Sequence, residues 1–392
     1  MTKSPRRETA KILFATLVGT MDNNALIPII AFYAISLGAD LFMAGLIVGA
    51  YSIVHVPANL VFGRVADRIG RKRPLVYGLL WDSISLALYA VAASPIGLLL
   101  VRLSHGLGGG FVGPASMALV TERSAPGRTG RALALYGISI AIAVIVGFAF
   151  AGIASARGAY TTLFFGISAA VWIGAVVASR ISERADRGRA APPLDRRAFL
   201  AFLRSRRPIA GCAAIFALYF VLGALVTIAP DFRGPPIELT DTRFAIALTA
   251  FALVSVGVHY PSGVLSDRIG PALPSAVGLA TTAAAVALLP RAPSYGAFVG
   301  LMVLFGVGHG LVFPSSSSLV SRSARSDFLG LASGVYYALL VAGVAIGAPL
   351  SGALAVATSG EIALLTTAFV ALAALVIVLP AYRGSEPLRS KE

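Results

Sequence analysis

The chain has 392 residues, of which 57% are apolar and only 12% charged, with 32 Lys and Arg against 17 Asp and Glu, a net charge of +15. A soluble domain carries about a quarter charged residues, and a mean hydropathy of +0.84 excludes water as the main solvent. In a soluble chain a pI near 10.5 would point to nucleic acid, but here the basic residues gather in the segments between apolar runs.

The first apolar run, residues 11–37, follows the basic stretch KSPRRETAK. It contains Asp22, Asn23 and Asn24 and lacks a small-residue cleavage site, so it reads as a retained span and not a signal peptide. Runs at 42–64, 74–94, 96–121, 130–155 and 160–180 follow, each long enough to cross hydrocarbon as a helix. Residues 181–207 are basic, with APP in the middle, and read as a linker. Within it, LDRRAFLAFLRSRRP fits either a basic amphipathic helix on an anionic leaflet or a solvated loop. The second half repeats the pattern at 208–229, 244–265, 272–290, 295–319, 330–355 and 362–382. The expected fold is all-α and integral to the membrane, twelve transmembrane helices in two pseudo-symmetric bundles of six, divided as 1–180, 181–207 and 208–392.

With the N-terminus inside, 27 of the 32 basic residues fall in cytoplasmic segments. The opposite side holds only Arg157, Arg233, Arg243 and Arg291, and Arg102 lies within a span. This is the positive-inside asymmetry. It places both termini in the cytoplasm of an inner-membrane protein and excludes a nucleic-acid partner. The single Cys212 excludes an internal disulfide and reads as packing.

A gap-free shift of 200 residues superimposes the halves. Gly63, Asp67, Arg68, Ile69 and Gly70 fall on Gly263, Asp267, Arg268, Ile269 and Gly270. Gly106, Gly108, Gly110 and Pro114 fall on their equivalents from Gly306 to Pro314, and Gly130, Tyr136, Gly147 and Gly152 on Gly330, Tyr336, Gly347 and Gly352.

Two parallel six-helix repeats, a basic central loop and GRVADRIGRKRPL after helix 2 resemble the major facilitator superfamily of secondary transporters. RLSHGLGGG from Arg102 is similar to a second signature of that family. A third, in helix 5, marks its drug/proton antiporter branch with a Gly-Pro pair, but GFAFAG carries Phe148 where Pro is expected, which weakens that assignment. The resemblance implies a cytoplasmic gate formed by Gly63, Asp67, Arg68, Gly70 and Arg71, with Gly263, Asp267 and Arg268 in the second copy. Gly63 would allow close helix packing, and Asp67 would meet the N-terminus of helix 11 near Gly330, where the helix dipole favours an anion. Asp267 would likewise face the start of helix 5. The rival reading has Asp67 merely pairing with Arg68 or Arg71 in a solvated turn.

Charged groups inside spans mark pathways. Asp22, beside Asn23, lies near mid-depth, and Arg102 somewhat toward the outside, on helices that line the cavity in the resembled fold. An acid and a guanidinium within reach of each other form a candidate proton-exchange site. Asp82 reads as structural, because helix 3 is peripheral in that fold. His105 shares a helical face with Arg102, and His309 occupies the equivalent of Gly109 on the same face of the second repeat. Tyr136 and Tyr336 are repeat equivalents, suited either to a partly apolar cavity wall or to ordinary packing. His55 with Asn59 and Ser255 with His259 share polar faces. No pair of histidines has metal-ligand spacing, no carboxylate accompanies them and no nucleotide loop appears, so neither metal nor other cofactor is expected, and no enzyme constellation is present. The expected function is proton-coupled efflux of a small, partly apolar compound by a monomer in contact with membrane lipid. The alternatives are proton-coupled uptake of a polar metabolite or organic anion, and lipid flipping.

Overall fold

The computed structural model describes residues 5–123, 129–182, 196–325 and 328–382, and among them all regular structure is helical. The first half contains α1 (Pro5–Leu26), α2 (Ile30–Ser36), α3 (Leu41–Ile69), α4 (Lys72–Tyr89), α5 (Pro95–Glu122), α6 (Thr129–Ser155) and α7 (Tyr160–Ser179). The short α8 (Arg196–Leu203) leads to α9 (Arg206–Ile228), α10 (Asp241–Ile269), α11 (Ala272–Leu288), α12 (Tyr295–Ser321), α13 (Leu329–Ala357) and α14 (Gly360–Tyr382).

Ten of these helices are long and apolar enough to cross a membrane, or eleven when α1 and α2, bent by 46°, count as one span. The bend follows from Pro28, which cannot donate a backbone N–H and ends α1 two residues earlier. The remaining candidate, α4, has 18 residues that include Lys72, Arg73 and Asp82, too many charges to qualify by composition. Its crossing, and so the full count of twelve, rests on the repeat.

The helix ends repeat as faithfully as the spans. Ser94 accepts a hydrogen bond from the Gly97 N–H at 3.1 Å and Ser294 one from Ala297 at 3.2 Å, so α5 and α12 begin with the same side-chain cap. Gly70 and Gly270 have φ of 88° and 86°, a left-handed backbone that suits glycine after α3 and α10.

The chain divides into two compact units, Met1–Arg189 with Thr240–Ile246, and Ala190–Leu239 with Ala247–Glu392. In the first, α1 packs on α6, and α4 on both α5 and α7; in the second, α9 packs on α13, and α11 on both α12 and α14. Large apolar side chains such as Val91, Ile96, Phe369 and Val376 are exposed, as a lipid-facing surface requires. The linker forms the amphipathic helix α8 and not a plain loop. Its Phe199 and Phe202 rings lie 5.7 and 5.4 Å from the Phe328 ring, which holds it against the start of α13.

Candidate functional site

The glycine run of α5 brings three helices together. A Cβ at Gly106 would collide with the Tyr51 backbone, one at Gly109 with the Tyr51 hydroxyl, and one at Gly110 with Ala58. These absences let α3 lie directly on α5, the small-residue packing that membranes favour. A Cβ at Gly108 would enter the space taken by the Asp82 carboxylate of α4. On the far side, Gly147 of α6 lets the α1 backbone approach at Met21 to Ala25, which seats Asp22.

The result is a buried polar cluster built by four helices. His105 Nε2 lies 3.2 Å from Asp22 Oδ2, with both residues fully buried. The other ring nitrogen, Nδ1, meets the Tyr89 hydroxyl at 3.3 Å. Arg102 donates to the same hydroxyl at 3.4 Å, and its guanidinium stacks 5.1 Å from the centre of the Tyr51 ring. Asp22 Oδ1 accepts from the Asn23 N–H. Asp82 is fully buried and neither of its oxygens has a hydrogen-bond partner among the described residues, nor does Arg102 Nε. One carboxylate oxygen each of Asp22 and Asp82 and one ring nitrogen of His105 lie within 4.8 Å of one another.

The equivalent positions in the second repeat carry no charge. Asp22, Asp82, Tyr89, Arg102 and His105 become Leu222, Thr282, Leu289, Met302 and Phe305. Their place is taken by an aromatic and imidazole cluster. His309 Nδ1 lies 2.7 Å from the Ser255 hydroxyl, and the His309 ring is stacked on Phe313 and set against Phe251 and Tyr219. His259 lies 6.0 Å from His309, ring centre to ring centre. The two repeats thus share a scaffold but not a chemistry.

The residues singled out in the sequence fare unequally. Asp22, Arg102 and His105 converge, but the partner of Asp22 is His105, whereas Arg102 reaches Tyr89. Asn23 lies at the edge of the cluster, with its backbone engaged and its Oδ1 without a hydrogen-bond partner among the described residues. His309 is buried in its own unit, as is Tyr336, whose hydroxyl meets Ser316 at 2.9 Å and the Phe313 carbonyl at 3.0 Å. Tyr136 repeats that contact with Ser116 at 3.4 Å.

The gate residues Gly63, Asp67 and Arg68 have side chains outside the described set. Arg71 pairs with Glu122 at the end of α5, while Asp267 pairs with Arg322 at the end of α12. Gly263 has open space around the position of a Cβ among the described residues, so close packing does not account for it there. Gly70 and Gly270 have the clearer role, as left-handed caps.

Two corrections follow. Asp82, set aside as peripheral, belongs to the cluster. The exclusion of a metal site assumed that no carboxylate accompanies a histidine, yet the fold brings two carboxylates to His105. Tyr51 and Tyr89 were not anticipated; the glycine at 109 that receives Tyr51 was the available signal.

Comparison with known proteins gives a consistent result. The model of the Major Facilitator Superfamily matches residues 12–240 and again 209–392. The chain is 24% identical to the inner membrane transport protein YajR of Escherichia coli, over 90% of this chain and 78% of that protein. It is 26% identical to the puromycin resistance protein pur8 of Streptomyces alboniger, over 57% of this chain and 42% of that protein. Among solved structures, a bacterial homologue of the human lysosomal transporter Spinster superposes with a TM-score of 0.82, covering 98% of both chains at 14% identity.

Proposed function

The chain belongs to the major facilitator superfamily, and from that membership we propose that it is a proton-coupled exporter of a small, partly apolar organic compound, working by alternating access. The observation that carries this reading is the buried pair of Asp22 and His105, 3.2 Å apart. An acid and an imidazole sharing one hydrogen bond can take up and release a proton, and no counterpart exists in the second repeat. Efflux is supported by the likeness to a puromycin resistance protein. An inner-membrane position with both termini cytoplasmic is supported by the one-sided distribution of Lys and Arg. The GRVADRIGRKRPL motif supports a gating role for Gly63, Asp67, Arg68 and Arg71.

Oriented membrane vesicles test both direction and coupling, with puromycin as the first compound tried. Inside-out vesicles with an acidic lumen should accumulate it, and a protonophore should abolish the accumulation. Asp22→Asn should lose gradient-driven accumulation while keeping exchange of compound across the membrane. Accumulation by Asp22→Asn at the full rate would remove Asp22 as proton carrier. The rival reading, uptake of an organic anion or polar metabolite by symport, is favoured by the Nε of buried Arg102, which has no hydrogen-bond partner among the described residues. It predicts accumulation in right-side-out vesicles with acid outside.

A further inference from the structure

The pair of Asp22 and His105 leaves Asp82 unexplained. It is fully buried on α4, and neither carboxylate oxygen has a hydrogen-bond partner among the described residues. An ionised carboxylate in that state is strongly disfavoured, because burial removes its water without supplying a donor. The groups around it are few. Among the described residues these are Asp22 from α1, His105 from α5, Tyr51 from α3 and Tyr89 from its own helix, with Arg102 of α5 held beyond them against Tyr51 and Tyr89. Helix α7, packed against α4 on the other side, contains no Asp, Glu, Lys, Arg or His.

With the imidazole counted as neutral, two ionised aspartates and one arginine would leave the cluster one positive charge short of neutrality. The hydrogen bonds indicate how that charge arrives. Asp22 has one oxygen committed to the Asn23 N–H and the other to His105, while both ring nitrogens of His105 are engaged, with Asp22 and Tyr89. A metal ion would therefore have to break a hydrogen bond of His105 to gain a ring nitrogen, leaving only carboxylate oxygens as ready ligands. A proton needs no more than one free oxygen.

Building on the proton-coupled reading above, we propose that Asp82 is a second proton-accepting carboxylate, and that Asp22, Asp82 and His105 hold the coupling proton as one unit. Loading takes a proton from a hydronium ion on one side of the membrane, breaking its O–H bond and forming a single O–H bond on a carboxylate oxygen. Release breaks that same bond and passes the proton to water on the opposite side, so no other reactant is required. The repeat supports a role beyond packing. Thr282 takes the place of Asp82 against Gly308, which shows that this pocket in the scaffold accepts a neutral residue.

Infrared difference spectra between acidic and neutral pH, taken on the full chain in liposomes, test this without knowledge of the substrate. A protonated carboxyl gives a C=O band that shifts in heavy water. Asp82→Asn and Asp82→Thr should each remove part of that band, Asp82→Glu should restore it, and Asp22→Asn should change the pH midpoint of what remains. The Thr variant guards against misfolding, since the second repeat already accommodates Thr at the equivalent position. A spectrum unchanged in both neutral Asp82 variants but altered in Asp22→Asn would overturn the role of Asp82 and leave the Asp22 reading intact. A spectrum unchanged in all three would overturn both. Loss of the band at constant pH on adding Mn²⁺ or Zn²⁺, in wild type but not in Asp82→Thr, would overturn the proposal in favour of a metal site.

Discussion

Glu122 and Arg322 occupy equivalent positions at the ends of α5 and α12 and carry opposite charges. Glu122 pairs with Arg71, and Arg322 pairs with Asp267. The second copy of the motif has Pro271 where the first has Arg71, so an acid at 322 would have no cation in that place. The loss of the basic cluster and the change of charge at the end of α12 thus explain each other.

Arg322→Glu should therefore weaken the second unit, and adding Pro271→Arg should recover part of the loss by recreating the first-repeat pair. The Asp267 side chain is 71% exposed, so the effect should be small. Exposed pairs contribute roughly 0.2–1 kcal/mol. Thermal unfolding of the single and double variants in detergent measures it, and equal stability of the two would deny the pairing.

A larger effect is expected at Gly108. The added methyl of Gly108→Ala enters the space of the Asp82 carboxylate and crowds the Trp81 ring, so both side chains must move. Overpacking of this kind costs about 1–3 kcal/mol. Because the displaced group belongs to the proposed proton site, transport should fall further than the loss of folded protein explains. Gly308→Ala, which meets Thr282 instead, should destabilise comparably with a milder effect on coupling. Equal losses of coupling in the two variants would argue against any special role for the first cluster.

Much of this arrangement was legible in the sequence, and the missing part has a physical reason. The spans, the repeat and the linker follow from hydropathy and from a shift of 200 residues. Asp22, Arg102 and His105 were found because charges within apolar runs are conspicuous and the latter two share a face. Asp82 was also conspicuous, but its importance depends on how near α4 lies to α5, which is decided by Gly108 on the other helix. Spacing within one helix carries no information about such an approach. The same holds for the metal question, since ligand spacing along the chain is silent when each of three groups comes from a different helix. Tyr89, at the last residue of α4, joins Arg102 to His105 for the same reason.

His105 should be needed for coupling and not merely for packing. His105→Phe copies the residue at the equivalent position, Phe305, and so keeps an aromatic ring while removing both nitrogens. Asp22 and Tyr89 then lose their common partner. Removing a buried hydrogen bond to a charged group costs about 1.5–3 kcal/mol, on the order of ten- to a hundredfold in an equilibrium constant. Gradient-driven export should drop by a factor in that range and lose its dependence on pH, as read from transport across a series of lumenal pH values. Retention of the wild-type pH profile would remove His105 from the proton site.

The orientation of the chain is open to a direct test. The only cysteine is Cys212, on α9. With Cys212→Ala as background, single cysteines can report which side of the membrane a position occupies. Arg157 and Arg233 lie in the sparsely basic segments after α6 and α9, and Arg204 lies in the arginine-rich segment after α8. The positive-inside asymmetry puts the first two outside and the third inside. In intact cells an impermeant thiol reagent should label Arg157→Cys and Arg233→Cys, and should reach Arg204→Cys only after permeabilisation. Labelling of Arg204→Cys alone would invert the topology. Labelling of Arg157→Cys with protection of Arg233→Cys would show an odd number of crossings between them, and the six-plus-six arrangement would fail at that point.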